Sequence, residues 1–150
     1  MLLLLYVDNM VVSYAPTAAK VAEEIKQVLA TADKITKLGT ACQFLRLEIH
    51  YNTVRSITLS QTVFIDSVLK QFRMEAAHGA ATPLDDKVRL NFAEEEEDGD
   101  VDPNSYQLIV GSHMNIALAT RPDISMVVAA LSRYTSRPCA RHLIAAQCVL

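Results

Sequence analysis

Two short apolar runs, residues 2–7 and 10–14, flank the polar pair Asp8-Asn9 near the start of the chain. Runs this short, separated by an Asp-Asn pair, predict the two strands of a tight β-hairpin rising from a buried sheet, with the polar pair at its tip. The period then changes. Val21, Ile25, Val28 and Leu29 recur at i, i+4, i+7 and i+8, with Lys20, Glu23, Glu24 and Lys26 on the other face. That spacing predicts an amphipathic helix, with Thr17 as its cap. Beyond the turn glycine Gly39, Leu45, Leu47, Ile49 and Tyr51 alternate with Arg46, Glu48 and His50. Period two predicts a half-buried strand, with residues 52–55 as a hairpin tip and Ile57 and Leu59 in the return strand. Ser60 then stands where a cap belongs, ahead of Phe64, Val68, Leu69 and Phe72. These four residues form a helical stripe of the kind that packs into a core.

Thr82-Pro83 and a following acidic stretch make a long connection and a candidate subdomain boundary. Asp102-Pro103 pairs a capping residue with a proline suited to the first helical position, which predicts a helix running to Ala119. Arg121-Pro122-Asp123 interrupts the pattern, and residues 124–135 predict another helix. Pro138 precedes a last one over residues 139–150. Two β-hairpins and about five helices predict an α+β fold.

Composition narrows the class. The 150 residues are 51% hydrophobic and 21% charged, which excludes a disordered or collagen-like chain. No run approaches the roughly 18 apolar residues needed to cross a bilayer, so no membrane partner is expected. Three cysteines without C-x-x-C spacing support neither a disulfide framework nor a zinc cluster. An intracellular setting, cytoplasm or nucleus, follows. The net charge of -3 is misleading, because seven acids, Glu94 to Glu97, Asp98, Asp100 and Asp102, sit in one loop near residues 93–102. Without them, 14 bases face ten acids, and the body is mildly basic at +4.

Few residues offer chemistry by themselves. His50, His78, His113 and His142 lack metal-binding spacing and are expected as surface or core residues with satisfied nitrogens. Cys42, Cys139 and Cys148 are expected as small buried apolar groups without a catalytic partner. Ser112 lies outside any G-x-S-x-G pattern, so no hydrolase elbow is indicated. Arg121, Arg133, Arg137 and Arg141 could line a phosphate-binding face or simply solvate helices. Asp8 and Asn9 stand apart, because carboxylates on a rigid hairpin tip can hold divalent metal for phosphoryl transfer.

The residues around that pair carry a resemblance. Residues 2–10, LLLLYVDNM, resemble the Tyr-x-Asp-Asp motif of reverse transcriptases of copia-type LTR retrotransposons. Lys37-Leu38-Gly39 follows in order, and residues 44–49, FLRLEI, resemble that family's Phe-Leu-Gly-Ile-Glu-Ile. Leu59-Ser60-Gln61, Phe64-Ile65 and Thr82-Pro83 continue it, as do Tyr106, residues 110–114, 119–124 and 131–134, and Pro138 with His142. The resemblance spans nearly the whole chain.

It implies an RNA-directed DNA polymerase, a nucleotidyltransferase that extends a primer on an RNA or DNA template-primer with two magnesium ions. By the motif, Asp8 is the catalytic, metal-binding aspartate and Asn9 replaces the second aspartate. Tyr6 would lie beneath the primer terminus, and Arg55 would contact nucleic acid near the tip of a primer-grip hairpin. Residues 1–60 would be a partial palm with both hairpins, and residues 61–150 the helical thumb and the start of a connection. The fingers, the upstream palm strand with the other essential aspartate, and an RNase H domain would lie outside these residues. The expectation is therefore a retrotransposon fragment inactive alone, with magnesium binding weak or absent. A retained non-catalytic nucleic-acid-binding or protein-interaction module is the alternative. Arg46, His113 and Asn115 depart from the family's Gly, Leu and Tyr.

Overall fold

The computed structural model describes residues 1–32, 35–53, 56–79, 82, 83, 90 and 101–149, with Ala32 described by its backbone alone. Strands β1 (Leu2–Tyr6) and β2 (Asn9–Ser13) pair antiparallel, from Leu2 opposite Ser13 to Tyr6 opposite Asn9. This register corrects the expected tip. The turn is Val7-Asp8, while Asn9 is already a paired strand residue facing Tyr6. Leu3 and Leu5 share one face with Val12 and Met10; Leu2, Leu4 and Tyr6 share the other with Ser13, Val11 and Asn9. Both faces are rich in apolar groups, the signature of a strand covered on two sides. The expected burial is nevertheless absent, because Leu2 to Tyr6 are 43–71% exposed.

Pro16 explains the entry into the first helix. Its ring holds Ala15 extended (φ -71°, ψ 153°), and Pro16–Ala18 forms a 3-10 turn leading into α1 (Ala19–Ala32). Ala15, rather than the expected Thr17, occupies the cap position. The covered stripe of α1 is Ala22, Ile25 and Leu29, whereas Val21 and Val28 are exposed. Those two valines, seven residues apart, lie about 100° round the helix from Ala22 and Leu29, so they miss the packed side.

Strands β3 (Gln43–Phe44), β4 (Leu47–Tyr51) and β5 (Ile57–Ser60) form a second antiparallel sheet in that order. Leu45 and Arg46, expected in the strand, instead form a two-residue turn, with φ of 51° and 65°. Positive φ at both central residues is the turn whose twist suits a hairpin. Asn52 closes the β4–β5 connection: its N–H donates to the Ser56 carbonyl at 2.9 Å, and its Nδ2 donates to Ser56 Oγ (3.1 Å) and Thr58 Oγ1 (2.9 Å).

The chain divides into two compact units, Met1–Thr58 and Leu59–Leu150. In the second, α2 (Thr62–Gln71), α3 (Pro103–Ala119), α4 (Ser125–Ser132) and α5 (Ala140–Gln147) share a core, with a 3-10 turn at Pro122–Ile124 before α4. Tyr106, Ile109 and Val110 of α3 meet Val128 and Leu131 of α4 and Ala145 and Ala146 of α5, with Phe64, Ile65 and Phe72 packed alongside. Gln61 precedes α2 in place of the expected Ser60 cap. Asp102 caps α3 as expected, accepting from the N–H of Asn104 (3.2 Å) and Ser105 (3.0 Å), with Pro103 in the first turn. Five helices and two small antiparallel sheets among the described residues make this an α+β chain. None of those helices is long and apolar enough to cross a membrane. Apart from Val101 and Asp102, the acidic loop lies outside the described residues.

Candidate functional site

The β1–β2 register places Asp8 second in the turn, with Tyr6 and Asn9 paired at its base. Val7 carries φ of 49°, an uncommon conformation for a β-branched residue, while Asp8 does not share a positive φ. With Val7 in the left-handed region, the chain reverses tightly between the paired residues Tyr6 and Asn9. Asp8, Asn9 and Tyr6 are all exposed, so the carboxylate, the amide and the phenol are accessible from solvent.

The donor set can be tested against magnesium, which takes oxygen ligands and usually keeps one or two carboxylates with phosphates and waters. Asp8 supplies one carboxylate, and Asn9 supplies a neutral amide oxygen. Such a pair fits one hydrated cation that also carries a phosphate; it falls short of a two-ion clamp. Among the described residues, no group of three or more His, Cys, Asp or Glu could hold a metal ion. Arg55, the other expected nucleic-acid contact, lies outside the described residues.

The basic groups are partly engaged. Lys37 donates to Glu23 at 3.0 Å, and Lys26 lies 3.5 Å from the same carboxylate, which holds Glu23 below its ordinary range. Lys26 also donates to the Tyr14 hydroxyl at 3.2 Å, and this bond raises its own pKa. Arg121 forks onto Asp123 (2.9 and 2.7 Å), pushing the arginine up and the aspartate down. Asp123 is therefore bound by its neighbour within the turn.

Three polar arrangements in the helical unit were missed from sequence. Cys139 is buried, not partnerless, and lies 3.1 Å from His142 Nδ1. The backbone N–H of Cys139 donates to the same nitrogen at 3.2 Å, so Nδ1 is an acceptor and the ring proton of neutral His142 is on Nε2. Together they form a capping box on α5, with Cys and His in place of Ser and Glu. The spacing Cys-x-x-His at a helix start was the available signal. The Tyr134 ring stacks on His142, with centroids 4.0 Å apart. Cys42 and Cys148 are exposed, contrary to expectation.

The second arrangement is Gln61, 2% exposed, whose Nε2 donates to Asn115 Oδ1 (2.9 Å) and whose Oε1 accepts from Thr120 Oγ1 (2.8 Å). No pattern in the sequence signals it. The third is His113 in α3, fully buried, with neither ring nitrogen hydrogen-bonded among the described residues. The expectation of a satisfied histidine fails there. Burial lowers its pKa to about 4, so it is neutral at pH 7. Burial also pushes the Tyr106 phenol up to about 12, helped by Cys139 and Tyr134; its hydroxyl donates to the Leu131 carbonyl at 2.9 Å.

Comparison with known proteins adds the following. Residues 1–86 match the family described as reverse transcriptase (RNA-dependent DNA polymerase). The retrovirus-related Pol polyprotein from transposon TNT 1-94 of Nicotiana tabacum is 32% identical to this chain, across 99% of the chain and 11% of the polyprotein. The putative transposon Ty5-1 protein of Saccharomyces cerevisiae is 34% identical, across 97% of the chain and 46% of that protein. The chain thus spans less than half the length of either relative. No solved structure matches.

Proposed function

We propose, because this chain belongs to the reverse transcriptase (RNA-dependent DNA polymerase) family of copia-type retrotransposons, that it is a palm and thumb portion that does not extend a primer by itself. Residues 1–60 serve as part of the palm, and residues 61–150 as the thumb and the start of the connection. The observation that supports this reading is the hairpin tip, where the turn presents one carboxylate, Asp8, beside an amide, Asn9.

Magnesium, when bound, supplies charge stabilisation for nucleotidyl transfer. Asp8 would hold the cation, and Asn9 would donate an oxygen without the charge that a second aspartate contributes. Tyr6, exposed at the base of the turn, offers a ring and a hydroxyl to a primer end, and Arg55 a charge to its phosphates. An RNA or DNA template-primer is the partner, in cytoplasm or nucleus. A second catalytic carboxylate, fingers and an RNase H domain would come from further segments of a longer polyprotein.

The test is primer extension on an RNA template by the purified 150-residue chain with magnesium. No product above background is expected from the chain or from Asn9→Asp, since restoring one ligand still leaves the two-ion clamp incomplete. Extension by the chain that disappears in Asp8→Ala would overturn the proposal.

A further inference from the structure

We propose that His113 is an acid-sensitive trigger in the helical unit, a buried neutral imidazole that can take up a proton only when the helices around α3 part. The geometry carries this. His113 is 0% exposed, and both ring nitrogens lack a partner among the described residues. A buried imidazolium would therefore be withdrawn from bulk solvent and have no acceptor among the described residues to stabilise its charge.

Among the described residues, the surroundings offer no counter-charge at close quarters. Helix α3 contains no Asp, Glu, Lys or Arg, and its other titratable group, Tyr106, is a neutral phenol bonded to Leu131. Among the elements packed on it, α4 has no charged residue, and Tyr134, just after α4, is stacked on His142. Helix α5 brings His142 and its cap residue Cys139, which are engaged with each other, and the exposed Arg141, whose sign is wrong. Helix α2 carries Asp66 and Lys70, both exposed, and the 3-10 turn carries Asp123, tied to Arg121. Among the described residues, no carboxylate is buried with the ring.

The sign of the effect follows. The folded-state pKa is depressed from 6.5 to about 4, so the unfolded chain binds the proton first. Stability is full above pH 6.5 and is lost as pH falls from there towards 4. Over the upper part of that window, from pH 7.5 to 5, the unfolding equilibrium constant should rise about thirtyfold from this one group. The carboxylates with depressed pKa values, Glu23, Asp102 and Asp123, start from ordinary values of 4.5 and 3.8 and so act mainly below that range.

Urea unfolding of the full chain, followed through backbone amide NMR signals of α3, tests this at pH 7.5 and pH 5. The wild type should rise about thirtyfold more than His113→Leu and the polar but non-titrating His113→Gln, whose remaining pH response is that of the other groups, buried His142 among them. In the folded wild type, the His113 ring resonances should also stay constant from pH 7.5 to 5. Variants that keep the wild-type pH response, a wild type without one, or His113 resonances titrating near pH 6.5 would each overturn the proposal. The ring titration needs no variant to fold, and no arm depends on polymerase activity.

Discussion

Two arginines sit where the backbone favours glycine. Arg46 has φ of 65° as the second residue of the β3–β4 turn, and Arg73 has φ of 56° just beyond α2. At Arg73, Met74 N–H donates to the Leu69 carbonyl (2.8 Å) and Arg73 N–H to the Lys70 carbonyl (3.1 Å). This is the double bond pattern that ends many helices, with an arginine in the left-handed position. A side chain in that region costs roughly 1–2 kcal/mol, and glycine gives part of the gain back as chain entropy in the unfolded state. Arg46→Gly and Arg73→Gly should therefore each stabilise the chain by roughly 0.5–1 kcal/mol, measured as a raised urea midpoint at unchanged slope. An unchanged or lowered midpoint would mean that contacts of the arginine side chains outweigh the backbone effect. Arg46 explains why the strand is expected to take in Leu45 and Arg46: without a glycine, nothing in the residue types announces a left-handed turn.

At the scale of elements, legibility followed whether a local rule was in force. Asp102-Pro103 fixed the start of α3 because cap and proline act within one turn, and the bonds from Asn104, Ser105 and the Ser105 hydroxyl hold the Asp102 carboxyl below its ordinary range. That contribution is present above the unfolded pKa near 3.8 and fades as pH falls through the lower folded value. The α2 stripe was legible for a similar reason, since Phe64, Val68 and Phe72 meet the core from one face. Gln61 was not legible, because its partners lie 54 and 59 residues along the chain. It bridges the start of α2 to both the middle and the C-cap of α3. Gln61→Ala should cost about 1–3 kcal/mol, since it strands the Asn115 amide oxygen and the Thr120 hydroxyl together. Gln61→Glu separates the two bonds: the Thr120 hydroxyl can still donate, while the Asn115 oxygen would face a carboxylate. Chemical denaturation of both variants measures the effect, and a loss under about 0.5 kcal/mol for the alanine variant would show that water replaces the bridge.

For the whole molecule, the charge distribution bears on nucleic-acid binding, whether or not the chain catalyses. The +4 body favours phosphate, yet Lys26, Lys37 and Arg121 are already drawn to Glu23 and Asp123, and seven acids lie together near residues 94–102. With three of the 14 bases held by carboxylates and a surplus of only +4 before the acidic stretch is counted, affinity for a nucleic-acid backbone should be weak and insensitive to sequence. Each phosphate neutralised on a duplex steepens the plot of log affinity against log salt by about 0.9. A chain making two or three contacts should show a slope of about -2 to -3 and lose binding between about 50 and 200 mM salt. Fluorescence anisotropy with a labelled RNA-DNA hybrid measures that slope directly. Replacing Glu94 to Glu97 by glutamine should tighten binding at low salt if the acidic stretch opposes the phosphates, whereas no change would place it away from the bound strand. Binding that ignores salt, or that is absent even at about 50 mM, would remove the electrostatic nucleic-acid role from these 150 residues.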